Sequence, residues 1–186
     1  AHNVASQSGE DGVIQRIFEL APPSSRFCVE FGAWDGKFMS NCWNLVANHG
    51  WSGCFIEGNN EKFKELRATF AGNSKVACLN RFVETEGERS LDSILASIGA
   101  PAAIDLLSID VDGTDWFIWD SVKTYRPNVV VVEFNPTVPN DVIFVQAKST
   151  AVNQGCSLRA LVELGREKGY EGLLANTRTK TVVVAL

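Results

Sequence analysis

The chain has 186 residues, a formal net charge of −5 and a pI of about 5.1. Hydrophobic residues make up 45% and charged residues 21%, which suits one globular domain over residues 1–186 and excludes a disordered chain. No lysine–arginine cluster stands out, and no apolar run nears the ~18 residues that span a bilayer, so neither nucleic acid nor a membrane is an expected partner.

Polar residues 6–12 (SQSGEDG) precede Val13, Ile14, Ile17, Phe18 and Leu20, whose spacing predicts a helix over 10–20 stopped by Pro22 and Pro23. A first strand is expected over 26–31, ending in the stretch EFGAWDGK. An apolar run that enters a glycine-containing turn is how a buried parallel strand delivers its C-terminal end to a ligand. Ser40 is placed to cap a helix over 41–49, with Gly50 as its stop. A second strand over 53–57, a helix over 61–70 capped by Asn59 or Asn60, and a third strand over 76–82 follow.

Ser90 caps a further helix ended by Gly99-Ala100-Pro101, and a fourth strand over 104–110 runs into Val111-Asp112-Gly113-Thr114. A short helix over 115–123 leads to a fifth strand over 128–134, whose four consecutive valines suit the middle of a parallel sheet. Residues 136–155 form a long connection with one apolar knot at 142–145, where substrate or a second subunit of a homodimer would touch. Together with residues 6–12 it is the expected lid. Ser157 caps a helix through 168, stopped by Gly169, and residues 170–175 and 181–185 close the chain as a hairpin joined by a polar turn. Strand–helix alternation of this kind means right-handed parallel βαβ units. The expected fold is α/β, a doubly wound, Rossmann-type sheet that is mostly parallel with one antiparallel strand from the hairpin.

The five cysteines, Cys28, Cys42, Cys54, Cys78 and Cys156, are odd in number and have no CxxC spacing. They read as free structural thiols in a reducing compartment, and the opening residues show no signal-peptide pattern; the expected location is the cytoplasm. His49 falls at the end of a helix away from the strand ends, so no histidine-based triad is expected.

Four strands deliver carboxylates to one rim: Glu30, Glu57, Asp110 with Asp112, and Glu133. Gathered carboxylates repel, which is costly unless a cation or a hydroxyl-rich ligand uses them. Glu57 follows Gly36 by about 20 residues, the spacing of an acid that holds a ribose in a dinucleotide-type fold. The stretch DVDGT at 110–114 also matches the nucleophile motif of a phosphatase class. It comes at strand four rather than near the start, and Asp115 stands where an apolar residue is usual.

The segments VEFGAWDG at 29–36, GCFIEGN at 53–59, LLSIDVDGTDWFIWDS at 106–121, VVVEFNP at 130–136 and GCSLRALVELGREKGY at 155–170 resemble FkbM-type S-adenosylmethionine-dependent methyltransferases, as does SQSGEDGVI at 6–14. The resemblance implies a class I methyltransferase fold binding S-adenosylmethionine. Glu30, Gly32, Ala33, Asp35 and Gly36 match the first cofactor motif, Glu57 the ribose acid, and Asp110 the acid beside the methionine moiety. Arg81 and Phe82 match the region that flanks the adenine. Trp34 departs from the pattern, standing where the motif has a glycine.

The resemblance also implies O-methylation of a sugar or other small-molecule acceptor. With no histidine in place, Asp112 and Glu133 are the expected catalytic groups and Asn135 an acceptor-positioning one. A Mg²⁺ variant would use Asp110, Asp112, Glu133 and Asn135. Three alternatives stand beside this reading: a non-catalytic cofactor-binding or interaction domain, an NAD-binding oxidoreductase and the DxDGT-type phosphatase.

Overall fold

Five short apolar runs build the centre of the sheet, and side-chain alternation sends their residues to two different cores. The computed structural model describes residues 3–7, 9–176 and 181–185, the stretches 172–176 and 181–185 by their backbone alone. His2, Ser8 and the expected hairpin turn at 177–180 lie outside the described residues.

The elements run α1 (Glu10–Leu20), β1 (Phe27–Phe31), α2 (Trp43–His49), β2 (Ser52–Ile56), α3 (Asn60–Thr69), β3 (Val76–Leu79), α4 (Leu91–Ser97), β4 (Leu106–Ile109), α5 (Asp115–Ser121), β5 (Val129–Glu133), α6 (Leu158–Glu167), β6 (Gly172–Asn176) and β7 (Thr181–Ala185). One sheet has the order β3-β2-β1-β4-β5-β7-β6. The first five strands in chain order pair in parallel, and β7 pairs antiparallel with both β5 and β6. Chain order reverses between β1 and β4, so the crevice at the C-terminal ends of these two strands is the topological switch point.

Phe27, Val29 and Phe31 of β1 face the core shared with α4, α5 and α6, through Ile94, Trp119 and Leu161. Cys28 faces the other core, shared with α1, α2 and α3 through Ile14, Val46 and Leu66. All five cysteines are free, and every one but Cys78 is buried. Among the described residues no helix is long and apolar enough to cross a membrane.

Local caps follow the sequence. Asn59, Ser90 and Ser157 each accept a backbone N–H in the first turn of α3, α4 and α6. Ser40 acts from two residues ahead of the N-cap, which is Cys42. Its Oγ accepts from Cys42 N (3.2 Å) and Trp43 N (2.9 Å), so α2 begins at Trp43 rather than at residue 41. The third strand stops at Leu79, short of the expected 82, because Arg81 and Phe82 turn away after Arg81 donates its N–H to Glu57 O (3.2 Å).

The inward ends of the strands are fixed by Asp105, which is fully buried. It accepts hydrogen bonds from the backbone of Ser24, Ser25 and Arg26, from both serine hydroxyls, and from Asn128 Nδ2. Burial alone would push its carboxyl upward, but these donors hold it below the ordinary value.

Candidate functional site

The switch point opens into a cleft of about 510 Å³ whose walls come from the ends of β1, β2, β3 and β4. The turn after β1 lies directly on the end of β4. Gly32 has φ 71, and a Cβ there would stand 1.6 Å from the Asp110 carbonyl oxygen. Only glycine permits that approach. Ala33 N donates to Ile56 O (3.2 Å), which ties the same turn to β2.

Glu57 is buried and serves the turn as well as the cleft. Its two oxygens accept from Trp34 N (2.9 Å) and Asn59 N (2.7 Å). Trp34 has a left-handed backbone, with φ 50, and is 51% exposed at the cleft. Lys62 Nζ lies 4.4 Å from the ring centroid, a cation–π contact that offsets part of the left-handed cost. Phe82, 66% exposed, packs so closely on Gly58 that a Cβ there would meet its ring at 2.4 Å. Arg81 lines the same wall.

Two expected cofactor residues do not line this cleft. Asp35 turns its carboxylate to the backbone N–H groups of Lys37 (2.9 Å) and Phe38 (2.7 Å), and its carbonyl accepts from Thr69 Oγ1 (2.7 Å). Gly36, φ 77, faces α3, where a Cβ would meet Leu66 at 2.5 Å and Phe70 at 2.7 Å. Their conformations shape the turn from behind. Glu30, Gly32, Ala33, Glu57, Arg81, Phe82 and Asp110 all line the cleft.

Glu30 is 5% exposed, one residue before the strand's end, so it is not an open rim carboxylate. It accepts from Ser40 Oγ and Asn41 N. Burial raises its carboxyl to about 7, against the lowering effect of Ser40, Asn41, Ser108 and Cys42. Residues 6–12, expected as a lid, are instead fastened down. Asp11 Oδ2 accepts from the backbone N–H of Val4, Ala5 and Ser6 and from Ser6 Oγ, while Ser6 bridges to Met39.

Beyond Asp110 the cleft meets a smaller cavity of about 180 Å³ lined by Asp112, Glu133, Asn135, Asn153, Gln154 and Gly155, among others. Carboxylate oxygens of Asp110, Asp112 and Glu133 all lie within 4.8 Å of one another. Burial, then the charges of Glu133, Asp115, Asp112 and Glu30, push Asp110 up to about 8. Asp110 remains open to solvent along the cleft, where these like charges face it. Asp112 sits at φ 55, and its turn is latched from beneath by buried Asp115, which accepts from Val111 N (3.0 Å) and Gly113 N (2.8 Å). Asn135 commits its carboxamide to the wall: Nδ2 donates to Gln154 O (2.8 Å) and Oδ1 accepts from Thr137 N and Oγ1.

Gln146, buried in the long connection, went unnoticed in the sequence. Its Oε1 accepts from Gln154 N and Gly155 N, and its Nε2 donates to Ser149 O and Val152 O. One side chain thus gathers residues 149–155 into a cavity wall and packs on Gly113. A lone glutamine in a polar loop carries no pattern that would have marked it.

No protein-family model and no curated protein matches the chain. Solved structures do. The N-terminal domain of EvdMO1 with S-adenosylhomocysteine bound shares 12% identity at a TM-score of 0.57, covering 96% of this chain and 80% of its own. An O-methyltransferase from Bacillus cereus, also in complex with S-adenosylhomocysteine, shares 16% at 0.57, over 100% and 84%. The chain has the fold of S-adenosylmethionine-dependent methyltransferases. A glycopeptide N-methyltransferase, MtfA, complexed with sinefungin, is similar at 11% and 0.52, over 99% and 87%. A carbon methyltransferase, CurJ, is similar at 11% and 0.57, over 94% and 52%. The acceptor atoms in these names are oxygen, nitrogen and carbon, so the fold does not fix the acceptor.

Proposed function

We propose that the chain is an S-adenosylmethionine-dependent methyltransferase acting on a hydroxyl of a sugar or another small molecule. The observation that carries this reading is the cleft at the switch point, walled by the Gly32–Ala33–Trp34 turn, Glu57 and Asp110. In it Glu57 accepts from the ribose hydroxyls, Phe82 on Gly58 gives the adenine a flat support beside Arg81, and Asp110 stands at the methionine end. The resemblance to FkbM-type enzymes in five segments narrows the acceptor to a hydroxyl.

Transfer breaks the methyl carbon–sulfur bond as an acceptor oxygen lone pair forms the carbon–oxygen bond; the sulfonium becomes a thioether and the hydroxyl loses a proton. Hydroxyls are poor nucleophiles at neutral pH, so a base beside the acceptor is required. Asp112 and Glu133 line the adjoining cavity and take that proton. Asn135 acts through the wall that it holds. The donor set Asp110, Asp112 and Glu133 also fits a hard divalent cation such as Mg²⁺, which would supply Lewis acidity to the hydroxyl. Asn135, with its amide engaged, is the weakest member of the ligand set.

Thermal denaturation and calorimetric titration with S-adenosylmethionine, S-adenosylhomocysteine, NAD and Mg²⁺ test the reading. Ligand at 100 times its dissociation constant adds about 2.7 kcal/mol. Stabilisation by S-adenosylhomocysteine and not by NAD is expected; stabilisation by NAD alone overturns the proposal.

A further inference from the structure

A second cavity lies at the opposite edge of the sheet from the cleft. Arg26 immediately precedes β1 and Trp51 immediately precedes β2, so both stand at the N-terminal ends of strands whose C-terminal ends wall the cleft. A strand of five residues, at ~3.3 Å each, sets the two edges about 16 Å apart. The cavity holds about 360 Å³ between residues of α1 and α2, within the range of about 300–1,000 Å³ for small-molecule sites. Its floor is apolar. Trp51 and Leu45 are buried, and the Phe18 ring tilts against Trp51 with centroids 5.0 Å apart.

Two polar groups on this surface have no partner in the chain. Asn44 is 5% exposed and lines the cavity. Its Oδ1 accepts from Asn48 Nδ2 (2.9 Å), which orients the carboxamide. Its Nδ2 meets no acceptor among the described residues, yet it is not sealed from solvent as Asn41 Oδ1 is, so its N–H groups are offered to the cavity. A donor left unpaired at a buried residue is costly.

The second group is the guanidinium of Arg26. The backbone beneath it is clamped on both sides: its N–H donates to Asp105 Oδ2 (2.6 Å) and its carbonyl accepts from Ser52 N (3.0 Å). That clamp holds φ at 53, uncommon for a residue with a Cβ. Among the described residues no carboxylate pairs with this guanidinium. The carboxylate in the lining, Glu19, is already matched by Arg16 Nη1 (3.0 Å) and Gln15 Nε2 (3.3 Å).

We propose that this cavity binds a small aromatic carboxylate. The ring lies on Phe18, Leu45 and Trp51, and the carboxylate accepts from Arg26 and from Asn44 Nδ2. A guanidinium fork matches a carboxylate geometrically, and the charge strengthens each bond. An inorganic anion would leave the apolar floor bare, and an uncharged ring would leave both donors unpaired.

Calorimetric titration with indole-3-acetate, its neutral amide and acetate tests the site in wild type, Arg26→Asn and Asn44→Asp. Asparagine tolerates the left-handed backbone at position 26, so that variant removes the guanidinium without adding strain. Wild type is expected to prefer the indole acid over its amide by at least about tenfold, the size of a hydrogen bond to a charged group. Arg26→Asn should lose that preference while binding the amide as wild type does. Asn44→Asp, which turns a carboxylate toward the ligand, should lose the acid. Far-UV circular dichroism checks that both variants fold. Should either fail to fold, NMR of wild type decides: the acid should shift the Trp51 indole N–H, assigned with Trp51→Phe, and leave that of Trp34 at the cleft unmoved. An unchanged preference in Arg26→Asn, acid binding retained by Asn44→Asp, acetate bound as tightly as the indole acid, or shifts at Trp34 instead of Trp51 each overturns the proposal. So does the absence of saturable binding tighter than about 1 mM in wild type. No S-adenosyl ligand enters these titrations, so their outcome is independent of the methyltransferase reading.

Discussion

Gly32→Ala separates two costs that usually arrive together. The first is conformational: φ is 71, in the left-handed region, where a Cβ costs about 1–2 kcal/mol. The second is collision, since that Cβ would stand 1.6 Å from the Asp110 carbonyl oxygen, against an ordinary contact of 3.4 Å or more. The obstacle is backbone, fixed just past the β1–β4 ladder where Asp110 N donates to Phe31 O (3.3 Å), so it cannot rotate aside. Overpacking of this kind adds about 1–3 kcal/mol, for a total of about 2–5 kcal/mol. Against a typical total stability of about 5–15 kcal/mol, the variant should be folded but weak. Gly50→Ala is the internal control, because Gly50 has φ 73 and open space where its Cβ would go. Urea titrations of both variants at one pH measure the difference. Gly32→Ala should lose clearly more than Gly50→Ala and lose cofactor affinity as well. If the two variants are equally destabilised, the close approach of the turn to β4 is not a constraint, and the account of the site's floor is wrong.

Three further outcomes follow from the site. Glu133→Gln should lower turnover far more than cofactor affinity, read from steady-state rates beside calorimetry; equal losses would remove Glu133 from the proton step. Glu30 has a folded value of about 7 against 4.5 ordinarily, so the native state holds a proton that the unfolded chain releases across that window. Its contribution to stability therefore falls as pH rises from about 4.5 to about 7, and Glu30→Gln should flatten that fall in urea midpoints taken at pH 5, 6 and 8; an unchanged slope refutes the assignment. Gln146→Leu removes four hydrogen bonds from a buried side chain, worth about 4 kcal/mol at roughly 1 kcal/mol each. It should open residues 149–155 to limited proteolysis while S-adenosylhomocysteine binds as before, and resistance equal to wild type would show that the loop is held by other contacts.

Much of the frame could be read directly from the chain because its signals are local. The four valines of β5, the caps Asn59, Ser90 and Ser157, and Gly50 beyond α2 each act on neighbours within a few residues. Spacing also placed Glu57, Gly32 and Asp110 at the switch point. It could not tell which face of the turn each residue takes. Asp35 and Gly36 belong to the same short stretch, yet the Asp35 carboxylate folds onto the backbone of Lys37 and Phe38 while Gly36 faces α3. Other misses depend on partners far away in the chain, such as Asp105 and the serines about 80 residues before it. Spacing marks Glu57 as a candidate ribose acid, while its hydrogen bond to Trp34 N, which anchors the turn, depends on tertiary packing.

The strand order has a consequence for synthesis. β7 follows β6 in sequence, yet it lies inside the sheet, between β5 and β6. Until Thr181–Ala185 has left the ribosome, one side of Val129–Glu133 has no native partner, and its four valines form an adhesive ribbon. β6 emerges earlier but reaches the sheet only through β7. A nascent chain is therefore exposed to mispairing at this strand for the whole time that the ~50 residues after β5 are being made, which is where a holding chaperone would be of most use.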